Sequence, residues 1–289
     1  MSWSVCDNAT EFLEKREDVL VSHESQNNLT WAAIERSKNS DSETANYTFL
    51  TFNEAQSPRA HAFVKHSEKH LVLGAMSNPQ ASLLVTFIES HELPLELIEG
   101  PREAALHFAT AWAQAPGRSH EIEMDQGLYE LTQVEMPDFA GGQMIPATEE
   151  NREVLQDFFA GFCRDCFPNR PIKPEQVEAR VQRFLSSKKA YLWQNRDKEV
   201  VSMAAVVRES PNTTSISIVY TPPNHRRQGH AAQIVAALSQ ARLDAGKTAC
   251  NLHTDLSNST SNSVYLRIGY EMILKSARIR LIKPDQDHT

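Results

Sequence analysis

Apolar positions along this chain fall into two rhythms, one of helical period and one of short extended runs. Phe12, Leu13, Val19 and Leu20, then Leu29, Ala32, Ala33 and Ile34, recur at helical spacing and predict two helices between Ala9 and Lys38. Asn39 to Thr44 is a polar break. Tyr47–Phe52, His61–Val64 and Leu71–Gly74 read as extended, and Ser82 to Ile88 is a further apolar run. Pro94, Gly100 and Pro101 punctuate the chain. Arg102 to Ala115 is amphipathic, with Ala105, Phe108, Ala109 and Trp112 on one side of a helix. Leu128 to Val134 reads as the last strand of this half.

Met136-Pro-Asp-Phe-Ala-Gly-Gly142 then sets a proline and two glycines close together, which marks a junction. The pattern divides the chain into 1–135, an αβ domain, and 142–289, a second one. In the second, Gln143 to Ala147 is a short strand. A helix capped at Thr148, with Glu149 and Glu150 in its first turn, runs to about Cys166. Phe167 to Pro174 is a loop. Val177, Val181 and Leu185 place a helix over Glu175 to Ser187. Ala190–Gln194 and Val200–Arg208 form a strand pair across the turn-like Asn195–Lys198. Ser215 to Thr221 is rich in β-branched and aromatic residues and reads as a strand, with Ile216, Ile218 and Tyr220 expected on one face and Val219 on the other. Pro222 and Pro223 end it by removing two ladder donors. Ile234, Val235, Leu238 and Ala241 carry a helix up to Gly246. Ala249–Thr254, a helix closing at Gly269, and a final strand complete the chain. The fold class is α/β with a mixed sheet.

Composition narrows the function. The chain has 289 residues, a length suited to two domains, and 40% hydrophobic content, enough to bury a core. A formal net charge of -8 argues against nucleic acid or an anionic membrane surface as partner. No run reaches transmembrane length, and Met1 to Thr30 lacks the apolar core of a signal peptide. The four cysteines, Cys6, Cys163, Cys166 and Cys250, do not form a disulfide framework, so a reducing, cytoplasmic compartment is expected. Cys163-Arg-Asp-Cys166 lacks a second pair and sits among Phe158, Phe159, Phe162 and Phe167. It reads as core cysteine on a buried helix face, not as a metal site. The histidines of the first half, His61, His66, His70, His91 and His107, have no metal-like spacing and read as surface or satisfied polar residues. No nucleotide fingerprint is present.

The chemistry concentrates between Ser215 and Ala245. A strand, the loop Arg226-Arg-Gln-Gly229-His-Ala231 and a helix follow one another. The first turn of a helix has backbone N–H groups without partners and a partial positive charge. Gly229 and the small Ala231 let a diphosphate approach that backbone, and Arg226 and Arg227 add charge. Arg226-x-x-Gly229-x-Ala231 resembles the acyl-CoA signature of the GNAT N-acyltransferase superfamily. Further on, Asn258, Tyr265, Gly269 and Tyr270 resemble its second signature position by position. The order of elements from residue 142 onward is similar to that of the GNAT fold.

The resemblance implies that the last half is an acyl-CoA-dependent N-acyltransferase domain, and that the first half is a degenerate copy of it, as in some bacterial members and the glycine N-acyltransferase-like group. It implies acetyl-CoA as co-substrate and no metal. Backbone groups of Val219, Tyr220 and Thr221 would meet the pantetheine arm. Gln228, Gly229, His230, Ala231 and Ala232 would hold the diphosphate with Arg226 and Arg227 nearby. Asn258 would line the slot, and Tyr265 would protonate the departing thiolate. The acceptor would be a small-molecule or peptide amine. The general base has no assignment: the strand's polar residues are Ser215, Ser217 and Thr221, and Glu209, His225 and His230 are the groups nearby. A non-catalytic acyl-CoA-binding or sensing protein is the alternative.

Overall fold

The computed structural model describes residues 2–38, 46–53, 60–137, 141–168 and 170–284. In chain order its elements are β1 (Ser2–Val5), α1 (Ala9–Ser22), α2 (Asn28–Lys38), β2 (Tyr47–Asn53), β3 (His61–Lys65), β4 (His70–Leu73), α3 (Asn78–Ser90), β5 (Leu97–Pro101), α4 (Arg102–Trp112) and β6 (Ser119–Leu131). Next come β7 (Gln143–Pro146), α5 (Arg152–Cys166), α6 (Pro174–Ser187), β8 (Ala190–Gln194), β9 (Val200–Glu209) and β10 (Thr213–Tyr220). α7 (His230–Asp244), β11 (Ala249–Asp255), α8 (Ser259–Arg267) and β12 (Glu271–Ile282) end the chain. The expected mixed α/β class is the observed one.

Contacts divide the chain into two compact units: Met1–Leu128 with Thr254–Ser257 and Met272–Thr289, and Tyr129–His253 with Asn258–Glu271. They differ from the two contiguous stretches that the sequence pattern marks out, because the C-terminal strand is part of the first unit. Of the expected junction, residues 138–140 lie outside the described residues, as does the whole polar break, 39–44.

In the first unit the strand order is β1-β2-β3-β4-β5-β12-β6. β12 pairs antiparallel with β5, Ser276 opposite Pro101 and Arg280 opposite Leu97. It brings Ala277, Ile279 and Leu281 into the core formed by Leu50, Val64, Leu71, Leu84, Ile98 and Phe108. β1, the Ser119–Gly127 part of β6 and two further features of this unit are not expected from the sequence pattern, which starts the last strand of this half at Leu128. Leu97–Pro101 is a strand, although Gly100 and Pro101 look like punctuation. The apolar run of Ser82 to Ile88 is the interior of α3, whose capping box joins Ser77 and Gln80.

β4 and β5 run parallel, with His70 opposite Leu97 and Val72 opposite Glu99. They stay together to the end of β4. A Cβ added at Gly100 would lie 2.8 Å from both Cβ and the carbonyl oxygen of Leu73. One residue after Leu73, at Gly74, an added Cβ would lie 2.3 to 2.7 Å from three atoms of the His61 ring. No opening is left between these two strands. His61 is buried, and so is His70, which lies between Glu68 and Glu99. Their polar environment is thus internal and not surface.

In the second unit the strands run β11-β10-β9-β8-β7, with β10 and β11 parallel and the rest antiparallel. α7 covers one face: Ile234, Val235 and Leu238 pack on Val206, Ile216, Cys250 and Leu252, together with Tyr265 and Tyr270. α5 and α6 cover the other, where Leu155, Phe159, Val181 and Phe184 meet Leu192, Met203, Ala205, Ile218 and Tyr220. Cys163 belongs to that second core, as expected of a core cysteine. Cys166 does not: it lies in the last turn of α5 and is exposed, so only one of the pair is buried.

Candidate functional site

The site is made by a strand that fails to pair. β10 and β11 are in register only from Thr213 and Ala249 to Ser215 and Asn251. Beyond that point they separate, and a fork opens in the sheet. Ser215 Oγ donates to Asn251 Oδ1 across the base of the fork at 2.6 Å. On its other side β10 slips against β9 between Ser217 and Tyr220, at a bulge where Ile218 takes a φ of +56°.

The bulge overturns one expectation. Ile216 enters the core under α7, whereas Ile218 and Tyr220 enter the core under α5. One extra residue in a strand shifts every later side chain to the opposite face. The same slip places Val219, half-buried, on the α7 side, against that core. The Tyr220 ring packs on Gly161 of α5, so close that a Cβ there would be 2.4 Å from its hydroxyl. Tyr220 therefore offers the fork only its backbone. Its carbonyl accepts from Ser202 Oγ at 2.9 Å, and the same hydroxyl meets Thr221 Oγ1 at 2.9 Å.

Past Pro222 and Pro223 the chain turns toward α7. Arg227 and Gly229 have left-handed φ of +63° and +83°, the kind of backbone from which anion-binding concavities are built. The first helical bond of α7 runs from Gln233 N–H to Gly229 O, so the amides just before it have no partner in the helix. A Cβ built on Gly229 meets nothing within 4 Å. The cradle is open, exposed and positively polarised by the helix dipole.

Side chains around the cradle take more specific places than the sequence suggests. Arg226 bonds back onto the strand, Nε to the Thr221 carbonyl at 2.8 Å, and pairs with Asp165 of α5. It braces the turn, and it occupies a carbonyl expected to be free for a ligand. Arg227 and Gln228 are exposed, Ala231 is half-buried and Ala232 is buried. His230 departs from expectation. Its imidazole is buried, and burial pushes its pKa down against the opposing hydrogen bond with Gln233. Only its backbone N–H belongs to the cradle. His225 is held by Glu199 at 3.2 Å and Asn224 at 2.9 Å. Glu209 pairs with Lys189 and sits opposite Thr214, at the closed end of the fork.

The second constellation lies on α8. Asn258 caps that helix, its Oδ1 accepting from Ser261 N–H at 3.0 Å. Tyr265 is buried with its ring edge-on to Tyr270, centroids 6.1 Å apart. Burial raises its phenol pKa, and the Cys166 sulfur raises it further. A phenol with its pKa raised in this way keeps its proton at neutral pH. In the first unit a cavity of about 660 Å³ is lined by Arg102, Asp125 and Lys275 among others, but Arg102 and Asp125 neutralise each other at 2.6 Å and none of the expected site residues is there.

Residues 195–279 match the family model of FR47-like proteins. No curated protein sequence matches the chain. Among solved structures, a Drosophila protein from a structural genomics programme is similar over 98% of this chain and 99% of its own, at 13% identity and a TM-score of 0.65. A GNAT-family acetyltransferase from Colwellia psychrerythraea covers 97% and 99% at 10% identity and a TM-score of 0.55. A tandem GNAT protein from the clavulanic acid biosynthesis pathway covers 98% of each chain at 9% identity and a TM-score of 0.56. These end-to-end similarities show that the chain shares the overall two-domain fold of the GNAT-family acetyltransferase and the tandem GNAT protein.

Proposed function

We propose that the second unit transfers an acyl group, most simply acetyl, from acyl-CoA to a primary amine by direct attack on the thioester. The observation that carries this reading is the pairing of a fork with a cradle. β10 and β11 part after Ser215 and Asn251, and the backbone at Gly229 faces open space at the start of α7. An extended thiol-bearing arm suits the first, and a diphosphate suits the second. The chain's own residues then have separate tasks. The cradle fixes the anionic end of the co-substrate. The backbone N–H of Val219, turned by the bulge at Ile218, donates to the developing oxyanion. Tyr265 gives its proton to the sulfur as the C–S bond breaks. The protein would act in the cytoplasm.

A non-catalytic acyl-CoA sensor is the second reading, favoured by the lack of any carboxylate along β10. Calorimetry with acetyl-CoA, followed by thiol release across a panel of amino acids, polyamines, aryl amines and peptide N-termini, separates the two. Heat with thiol release is expected. Heat without thiol release for any amine would leave the sensor. No heat at all from folded protein would remove both readings.

A further inference from the structure

We infer that His253 is the general base of the transfer, taking the proton from the attacking amine. The inference rests on the acyl-transfer reading above and adds the residue that the reading lacks.

The chemistry asks for a proton acceptor beside the fork. Glu209 is at the wrong end of β10 and already paired with Lys189. His225 is held in the loop by Glu199 and Asn224, and His230 is buried at the start of α7. β11 supplies a different candidate. Side chains alternate along a strand. Cys250 and Leu252 enter the core beneath α7, which sends Asn251 and His253 to the opposite face. The Asn251–Ser215 bond fixes that orientation, because both residues face each other across the base of the fork. His253 is two residues further on, about 7 Å along the strand, at a strand rise of about 3.3 Å per residue. It is therefore the first β11 side chain on that face beyond the last paired residue.

The neighbouring strand agrees. Ile216 points under α7, so Ser215 and Ser217 point with Asn251 and His253. Ser217 is opposite Ala205, which lies in the core on the α5 side. The fork thus has a small, polar lip on this face, and both Ser217 and His253 are half-buried there. An imidazole is the side chain whose ordinary pKa lets it accept a proton near neutral pH and release it again.

The step balances as follows. The lone pair of the neutral amine forms the N–C bond, and the amine proton passes to the His253 ring. The C–S bonding pair leaves with sulfur, which takes the Tyr265 proton. Solvent then returns a proton to Tyr265 and removes one from His253. The products are an amide and a free thiol.

Two measurements test this. In the first, wild-type protein is treated with diethylpyrocarbonate with and without acetyl-CoA, and modified peptides are read by mass spectrometry. Protection of His253 by acetyl-CoA, under conditions where calorimetry shows binding, is expected. Binding without protection would overturn the assignment and leave the acyl-CoA reading intact. In the second, His253→Ala is assayed with the best amine of the panel. Turnover should fall on the order of 10²-fold, acetyl-CoA affinity should stay within about threefold, and added imidazole should restore part of the rate. A variant that keeps full turnover, or that loses it without any rescue by imidazole while still binding acetyl-CoA, would overturn the assignment. Absence of binding in wild type would instead strike at the acyl-CoA reading itself.

Discussion

At the scale of single residues, function turns on where a Cβ can and cannot be. Gly229 holds a φ of +83° over open space. An alanine there would clash with nothing yet would carry about 1 kcal/mol of left-handed strain. Glu at the same place adds a negative group to the cradle. Gly229→Glu is expected to abolish acetyl-CoA binding by calorimetry while its circular dichroism spectrum stays native. Gly161 is the opposite case, since its missing Cβ is the room taken by the Tyr220 ring. Gly161→Ala should destabilise the second unit by about 1–3 kcal/mol through overpacking, read from a urea midpoint. Tyr265 tests the acid. Its pKa is raised above the ordinary value, so the phenol keeps its proton through neutral and mildly alkaline pH. Tyr265→Phe should lower kcat on the order of 10²-fold with little change in acetyl-CoA affinity. An unaltered rate across the pH range would show that another group protonates the thiolate.

At the scale of elements, a bulge and a row of charges decide more than propensity does. The left-handed Ile218 re-aims β10, so that Val219 and Tyr220 leave on opposite faces of the sheet. Simple alternation puts Ile216, Ile218 and Tyr220 together, and nothing local in Ser-Ile-Ser-Ile-Val-Tyr announces the inserted residue. In the first unit, His70 of β4, Glu99 of β5 and Arg278 of β12 form a transverse row, with Arg278 also reaching Glu123 of β6. Burial alone would lower the His70 pKa, but Glu68 and Glu99 outweigh it and raise the value, against a small opposing effect of Arg278. The sign follows from this direction. A raised folded-state pKa stabilises fully below the ordinary value of about 6.5 and ceases to do so as pH rises through the folded value. Glu68, lowered to about 2, acts in the opposite sense: its contribution is present above the ordinary carboxylate range and is lost as pH falls through about 2. His70→Gln should therefore flatten the loss of first-unit stability above about pH 6.5, measured as urea midpoints against pH. A variant with the same alkaline slope as wild type would assign that slope to other groups.

At the scale of the whole molecule, the last strand is committed to the first unit. β12 lies between β5 and β6 and buries Ala277, Ile279 and Leu281 completely or nearly so. Loss of a buried Ile or Leu side chain costs about 2–5 kcal/mol each. A chain ending at Glu271 is thus expected to lose the cooperative structure of its first unit, seen as rapid proteolysis within residues 47–112, although every residue from 1 to 128 is present. The two units also differ where they are comparable. In the first, β4 and β5 stay in contact through Leu73 and Gly100, with the His61 ring packed at Gly74, so there is no fork for a co-substrate arm. In the second, β10 and β11 part.

Local sequence was enough for whatever depends on neighbours along the chain. The two opening helices, the strand pair before β10, the loop at Gly229 and the mixed α/β class all follow from periodicity, turn chemistry and unsatisfied helix ends, which act within a few residues. Tertiary structure alone decided what depends on partners far away. It turned Leu97–Pro101 into a strand through β4 and β12, re-aimed β10 by slipping it against β9, tied Arg226 to Asp165, buried His230, and set His253 beside the fork. Strand pairing and burial are relations between distant segments, and no short stretch of residues contains the other half of them.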